Sequence, residues 1–127
     1  MYQATTQDIK IEVEPSYVPE QSDPARSHYF FSYKVRISNH GSDTVQLVSR
    51  HWIITDGFGQ TEEVIGPGVV GQTPTLKPGD AFEYSSFCPL HTPTGSMQGT
   101  YVMQGTKGGE FSVTIPMFIL CEPNHYH

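Results

Sequence analysis

The amino-acid sequence predicts an all-β protein, an immunoglobulin-like or fibronectin type III-like sandwich of about seven strands in two antiparallel sheets. Apolar and polar residues alternate in several separate runs, which is the pattern of half-buried strands. Turn signals separate these runs at intervals of roughly 10–15 residues. The 127 residues also include 12 Gly and 10 Pro, and this composition disfavours helices.

The first two predicted strands show the alternation most clearly. Ile9, Ile11 and Val13 alternate with charged residues, and Pro15 is expected to end this strand. The second strand covers residues 29–38, in which aromatic and branched residues take one face and polar residues the other. Each strand therefore has one face suited to a core and one suited to water.

The third predicted strand runs from about residue 44 to residue 55 and changes its apolar parity along the way. Leu47 shares a parity with the start of the strand, whereas Trp52 belongs to the opposite parity. Such a switch indicates a β-bulge or a strand buried on both faces. Residues 56–59 then form a hairpin turn, and residues 61–65 return as a short edge strand.

The second half of the chain continues the same pattern. Strands are predicted near residues 82–85, 97–103 and 111–115, with glycine-rich or proline-rich loops between them. Pro116 is expected to interrupt the last strand, after which residues 118–120 follow with switched parity. No segment carries a convincing helical pattern.

Composition and charge restrict the function classes. The formal net charge of −6 repels phosphate backbones, so no nucleic-acid partner is expected. Residues 1–8 carry no secretory signal, and no run approaches the roughly 20 apolar residues of a membrane span. We therefore expect a cytoplasmic protein without membrane insertion, in which Cys88 and Cys121 stay reduced. The length predicts one domain over residues 1–127, with a core of about 8–123.

A glycine motif, G-x-G-x-x-G, occurs at Gly66, Gly68 and Gly71. This spacing binds a pyrophosphate when it joins a strand to a helix whose N-terminus meets the anion. Two prolines and a glycine within residues 72–79 leave no room for such a helix. The motif is therefore present in a context that does not suit its usual chemistry.

Three interpretations of this loop remain open. Its amides could form a nest for a nucleotide or pyrophosphate, which requires no helix. Alternatively, the glycines could permit a sharp connection from one sheet to the other. In the third interpretation Val69 and Val70 are exposed on the loop and anchor a partner protein. The acidic residues Glu62, Glu63 and Asp80 around the loop disfavour the anion site.

Four segments together closely resemble the bacterial ApaG proteins: residues 50–57, 66–72, 76–79 and 97–101. The resemblance extends over nearly the whole chain, from about residue 8 to residue 123. It implies a fibronectin type III-like sandwich and an association with cobalt tolerance and magnesium efflux. Related domains in eukaryotic F-box proteins and in a DNA-polymerase-delta-interacting protein imply a protein-binding module. The resemblance carries over no catalytic residue.

Arg50 and Trp52 are a second candidate interface, because both residue types are over-represented at binding hot spots. The alternative is an arginine that lies over an indole in the core, and this alternative is favoured. Near the C-terminus, Cys121, His125 and His127 could supply three metal ligands, but a chain end offers no rigid geometry and we expect no metal site.

Catalysis has little support in the sequence. Cys88 and His91 are close along the chain, but a catalytic pair also requires an orienting third group. We therefore expect a non-enzymatic module that needs no cofactor and binds another protein. The contact surface would comprise the glycine loop and the Arg50–Trp52 strand. Nucleotide or pyrophosphate binding at the loop is the alternative.

Overall fold

A computed structural model describes residues 1–123 and confirms the predicted β-sandwich. It contains nine strands and two short 3₁₀ helices, Pro19–Gln21 and Pro24–Arg26. The strands are β1 (Tyr2–Thr6), β2 (Ile9–Tyr17), β3 (Tyr29–Asn39), β4 (Val45–Asp56), β5 (Thr61–Pro67), β6 (Thr75–Leu76), β7 (Ala81–Leu90), β8 (Thr94–Gly105) and β9 (Glu110–Cys121).

The strands form two antiparallel sheets. The first has the order β1-β2-β3-β7, and the second has the order β5-β4-β8-β9, with β6 also paired to β4. Alternating apolar residues of the inner faces form one hydrophobic core, as the sequence periodicity predicted. Burial of each large apolar side chain contributes about 1.5–3 kcal/mol, so this core is the main source of stability.

Two strands exceed the number expected from the sequence. β1 has little apolar alternation of its own. It nevertheless pairs with β2 along its whole length, from Tyr2 opposite Val13 to Thr6 opposite Ile9. β6 is only two residues long and pairs with Val45 and Gln46 of β4. Both are short edge elements whose strand character comes from a neighbouring strand rather than from their own sequence.

The prediction that Pro15 ends the second strand is wrong, because β2 continues through it to Tyr17. The pairing of β1 with β2 ends at Tyr2 and Val13. At Pro15, β2 therefore pairs with β3 on one side and has an open edge on the side of β1. A missing N–H is tolerated on such an edge. Pro116 likewise lies within the continuous strand β9 instead of interrupting it.

The predicted parity switch in the third strand is a β-bulge. The β4–β8 register shifts between Leu47 and Ser49, so that Val48 is the extra residue. After the bulge, Arg50 and Trp52 point toward the core side. A second register shift, between Met97 and Gly99 of β8, matches the parity switch of β9 around Pro116.

The two long edges of the sandwich differ. On one side, β1 and β2 pack closely against β9 and close the space between the sheets. On the other side, β7 pairs only with β3 and β5 only with β4, and a cleft remains between them. The predicted edge position of residues 61–65 is thereby confirmed. Within residues 1–123, no helix is long and apolar enough to cross a membrane.

Gly99 fixes the spacing of β4 and β8 beside Trp52. A Cβ at this position would lie 1.9 Å from the carbonyl oxygen of His51, which belongs to the backbone and cannot move aside cheaply. We predict that Gly99→Ala lowers the free energy of unfolding by about 2 kcal/mol or more. The matched control is Gly105→Ala on the same strand, where a Cβ meets nothing within 4 Å.

Chemical denaturation of the two variants and the wild type checks this prediction. Gly105→Ala should change stability by less than about 1 kcal/mol. Equal stability of Gly99→Ala and Gly105→Ala would show that the close approach of β4 and β8 is not a constraint on the fold.

Candidate functional site

The cleft between β5 and β7, called here the inter-sheet cleft, brings the two sequence-predicted sites together. Its volume is about 400 Å³, which lies within the range of about 300–1,000 Å³ typical of small-molecule sites. β4 contributes Arg50 and Trp52, and the glycine loop contributes Val69 and Val70. The remaining lining residues are Tyr33, Ile54, Glu62, Val64, Tyr84, Ser86, Phe87, Cys88, Pro89 and Met97.

Arg50 connects the glycine loop to β4. Its Nη1 donates to the carbonyl oxygens of Pro67 at 2.8 Å and Gly68 at 3.0 Å. Gly66 is the direct cross-strand partner of Arg50, and a Cβ there would lie 3.2 Å from both Nη1 and Nη2. The absence of a side chain at Gly66 therefore leaves space for the guanidinium group of Arg50. The sequence alone does not indicate that these two residues are neighbours.

The second glycine is required by the path of the loop itself. Gly68 has φ +60°, and a Cβ there would lie 2.2 Å from the carbonyl oxygen of Gln72. Its N–H donates to the carbonyl of Val48, the bulge residue of β4, at 3.0 Å. Only glycine combines this backbone angle with so close an approach.

The third glycine completes a tight turn. Val69 and Gln72 exchange two backbone hydrogen bonds of 2.8 Å, and both central residues have positive φ, 43° at Val70 and 79° at Gly71. This pattern is typical of a type I′ turn. The N–H groups of Gly68, Val69 and Gln72 are thus engaged by main-chain carbonyls, and the observed geometry is a hairpin rather than an anion nest.

The interpretation of the glycine loop as a connection from one sheet to the other is wrong. The loop after β5 leads to β6, and both strands pair with the same strand, β4. The glycines therefore turn the chain along one edge of a single sheet. The chain crosses to the other sheet after β6, through residues 77–80, and enters β7.

The two loop valines have opposite environments. Val69 is fully buried and belongs to the core, so the prediction that it is exposed as a partner anchor is wrong. Val70 is 51% exposed at the tip of the turn. The adjacent side chains of Val69 and Val70 therefore point in different directions, one into the core and the other to solvent.

Trp52 occupies the core rather than the surface. It is 3% exposed and makes edge-on contacts with Tyr33, Tyr101 and Phe118 at centroid distances of 5.4 to 6.2 Å. Arg50 is held by the loop carbonyls and not by a stack on this indole. Trp52 thus forms the floor of the cleft, and Arg50 forms part of its wall.

Sequence reasoning missed the tyrosines of this site. The hydroxyls of Tyr84 and Tyr101 hydrogen-bond to each other directly, and Tyr33 and Tyr84 line the cleft. Burial raises the pKa of all three phenols above their ordinary value. Tyr84 and Tyr101 lie on strands of different sheets, so no spacing in the sequence could have indicated their contact.

The remaining candidate residues form no metal-binding group within residues 1–123. Cys88 and Cys121 are free thiols, as predicted. No group of three potential metal ligands occurs in this part of the chain. Of the proposed C-terminal ligands, His125 and His127 lie outside the described residues.

Cys88 is predicted to make the fold sensitive to alkali. Burial, with a smaller contribution from the charge of Glu62, raises the pKa of its thiol from 9.0 to about 11. The folded state therefore favours the protonated thiol, and this stabilisation is complete below pH 9 and lost as pH rises through about 11. Between pH 9 and pH 11 the free energy of unfolding of the wild type should fall by about 2 kcal/mol more than that of Cys88→Ala.

Urea unfolding of both proteins at pH 8 and pH 11 measures this difference. All other ionisable groups are the same in both proteins, so the comparison isolates Cys88 together with its interactions. The same pH dependence in both proteins would contradict the assignment of a buried, protonated thiol to Cys88.

The comparisons with known proteins agree on one family. The sequence profile of the ApaG domain matches residues 19–105. The protein ApaG of Paramagnetospirillum magneticum is 52% identical over 124 residues, which cover 98% of this chain and 95% of that protein. The protein ApaG of Bordetella pertussis is 54% identical over 120 residues, which cover 94% and 92% of the two chains.

A solved structure extends this agreement to three dimensions. A crystal structure from Bordetella pertussis, described as an ApaA protein, superposes with a TM-score of 0.89 at 55% identity and covers 91% of this chain and 94% of its own. Identity of this level over nearly the full length is far above what a shared fold alone produces. The chain therefore belongs to the ApaG family.

Proposed function

We propose that this chain is a non-enzymatic protein-interaction module whose contact surface is the rim of the inter-sheet cleft. Val70 supports this proposal best, because it is 51% exposed although its φ of 43° is one that β-branched residues rarely adopt. Such a conformation costs of order 1–2 kcal/mol. A strained and exposed apolar residue is easier to explain by a contact with a partner than by the stability of the fold.

The rim offers further features suited to a partner. Phe87 also borders the cleft and is 57% exposed, although it packs partly on Phe30 with a centroid distance of 5.3 Å. β5 and β7 each have one unpaired edge on this side of the sandwich. Exposed aromatic and branched side chains beside free strand edges are recurrent features of protein-binding surfaces.

The chemistry of the cleft favours binding over catalysis. Cys88 lines the cleft, but burial raises the pKa of its thiol to about 11, which keeps the thiol protonated and unreactive near neutral pH. Burial also raises the pKa of the Tyr84 and Tyr101 phenols, so both stay protonated near neutral pH and cannot accept a proton as a general base. We place the module in the cytoplasm, with the cobalt tolerance and magnesium efflux associated with its family as the physiological context.

Val70→Asn separates stability from binding. Asparagine tolerates positive φ, and Asn-Gly is a favoured pair in a type I′ turn. We predict that this variant raises the free energy of unfolding by about 1 kcal/mol while it weakens partner binding, because the apolar anchor is lost. Thermal or chemical denaturation measures the first effect. An unchanged or lower stability would contradict the strain assigned to Val70.

Site-specific photo-crosslinking tests the partner contact. A photoreactive p-benzoylphenylalanine replaces Val70 in cells of the source organism, and the control carries it at Phe58, which is 81% exposed on the β4–β5 hairpin. We expect a discrete adduct from position 70 only, which Phe87→Ser in the same chain reduces. No adduct, or the same adducts from both positions, would contradict the proposed surface.

A titration with pyrophosphate and ATP tests the alternative prediction for the loop. Because the amides of Gly68, Val69 and Gln72 are engaged within the protein, we expect no saturable shift of the amide signals of residues 66–72. Saturable shifts confined to these residues would favour the anion site over the partner contact.

A further inference from the structure

The interior of the inter-sheet cleft differs chemically from its rim. Its walls are aromatic and apolar, with Tyr33 and Trp52 on one side and Val64 and Met97 nearby. Arg50 is the only lysine or arginine among the residues that line it. Small-molecule sites typically have this composition, an apolar cavity with a few polar groups that fix orientation.

Arg50 retains an unused set of donors. A guanidinium group has five N–H groups, and the bonds to Pro67 and Gly68 involve only Nη1. None of the ion pairs within residues 1–123 includes Arg50. Nε and Nη2 therefore remain, and together they form the side-on fork from which a carboxylate accepts two parallel hydrogen bonds.

The loop also orients this fork. Two carbonyl oxygens hold Nη1, and the bare Cα of Gly66 supports the flat face of the group, since a Cβ there would lie 3.2 Å from Nη1 and Nη2. An arginine restrained in this way loses less conformational freedom when it binds an anion than a free surface arginine does. The three glycines thus contribute to a preorganised arginine, not to a backbone nest.

We propose that the inter-sheet cleft binds a small organic molecule with a single carboxylate on an apolar, aromatic body, and that Arg50 is the partner of the carboxylate. The aromatic body of the ligand lies against the side of the cleft formed by Tyr33 and Trp52, whose rings are in edge-on contact with each other at a centroid distance of 5.4 Å. This site is inside the cleft, whereas the proposed protein contact is on its rim, so each proposal can hold without the other.

Charge limits the ligand to a monoanion. Glu62 lines the same cleft, and the whole chain carries a net charge of −6. One carboxylate is compensated by Arg50, but each further negative charge on the ligand would be repelled by Glu62 and by the acidic domain. Nucleotides and other polyphosphates are therefore poor occupants of this site.

Phenylacetate and phenylacetamide are a matched pair of probes of nearly equal shape, in which a neutral amide replaces the charged carboxylate. We expect phenylacetate to bind the wild type with millimolar affinity and to shift the indole N–H signal of Trp52, which is unambiguous because the chain has one Trp. Phenylacetamide should bind at least about tenfold more weakly, because it cannot form the charge-assisted pair with Arg50.

Three variants locate the interaction. Arg50→Gln should weaken phenylacetate binding about tenfold or more, and Glu62→Gln should strengthen it, because a repulsion is removed. The control is Arg36→Gln on the outer face, where Nη1 of Arg36 contacts Glu83 at 3.0 Å. This variant should bind phenylacetate as the wild type does.

Several outcomes would overturn the proposal. They are no shift of the Trp52 indole signal at about 20 mM phenylacetate, equal binding of phenylacetamide, or undiminished binding to folded Arg50→Gln. The comparison of the two probes uses the wild-type chain, so it decides the question even if Arg50→Gln does not fold. Crosslinking from position 70 does not depend on these results.

Discussion

The hydrogen bonds from Arg50 to the carbonyls of Pro67 and Gly68 are the interaction on which the site depends. They join the strand at the centre of the second sheet to the loop that follows its edge strand. The bulge at Val48 makes this possible, because the extra residue turns Arg50 toward the interior. In addition, the carbonyl oxygen of Val48 accepts a hydrogen bond from the N–H of Gly68. One extra residue in β4 therefore determines both the direction of the arginine and the anchoring of the loop.

The unequal edges of the sandwich explain where this site can occur. β1 and β2 pack against β9 and seal one side, whereas β5 and β7 leave the other side open. An arginine on the inner face of β4 would be costly to bury without a partner in the sealed region. At the open edge it is partly buried and has main-chain acceptors, so its charge is tolerated beside an aromatic core.

The glycine motif shows how one spacing can serve another chemistry. In a dinucleotide-binding loop the glycines allow backbone amides to approach a phosphate. Here Gly66 makes room for a guanidinium, Gly68 for a carbonyl oxygen, and Gly71 for a tight turn. In this loop, main-chain carbonyl oxygens accept hydrogen bonds from Arg50 of the same chain. Membership of the ApaG family agrees with the resemblance seen in the sequence.

The sequence by itself determined the sandwich, the edge strand near residues 61–65 and the change of apolar parity before Trp52, because strand periodicity records which side chains face the core. The β4–β8 register decided that this change is a bulge. The sequence did not determine β1 and β6 or the continuation of β2 through Pro15, because those depend on a neighbouring strand. Only the tertiary structure decided that Val69 is buried and Val70 exposed. The tertiary structure alone also showed that Arg50 lies opposite Gly66. The two residues are neighbours because of the register between β4 and β5, and their spacing in the sequence does not indicate this contact.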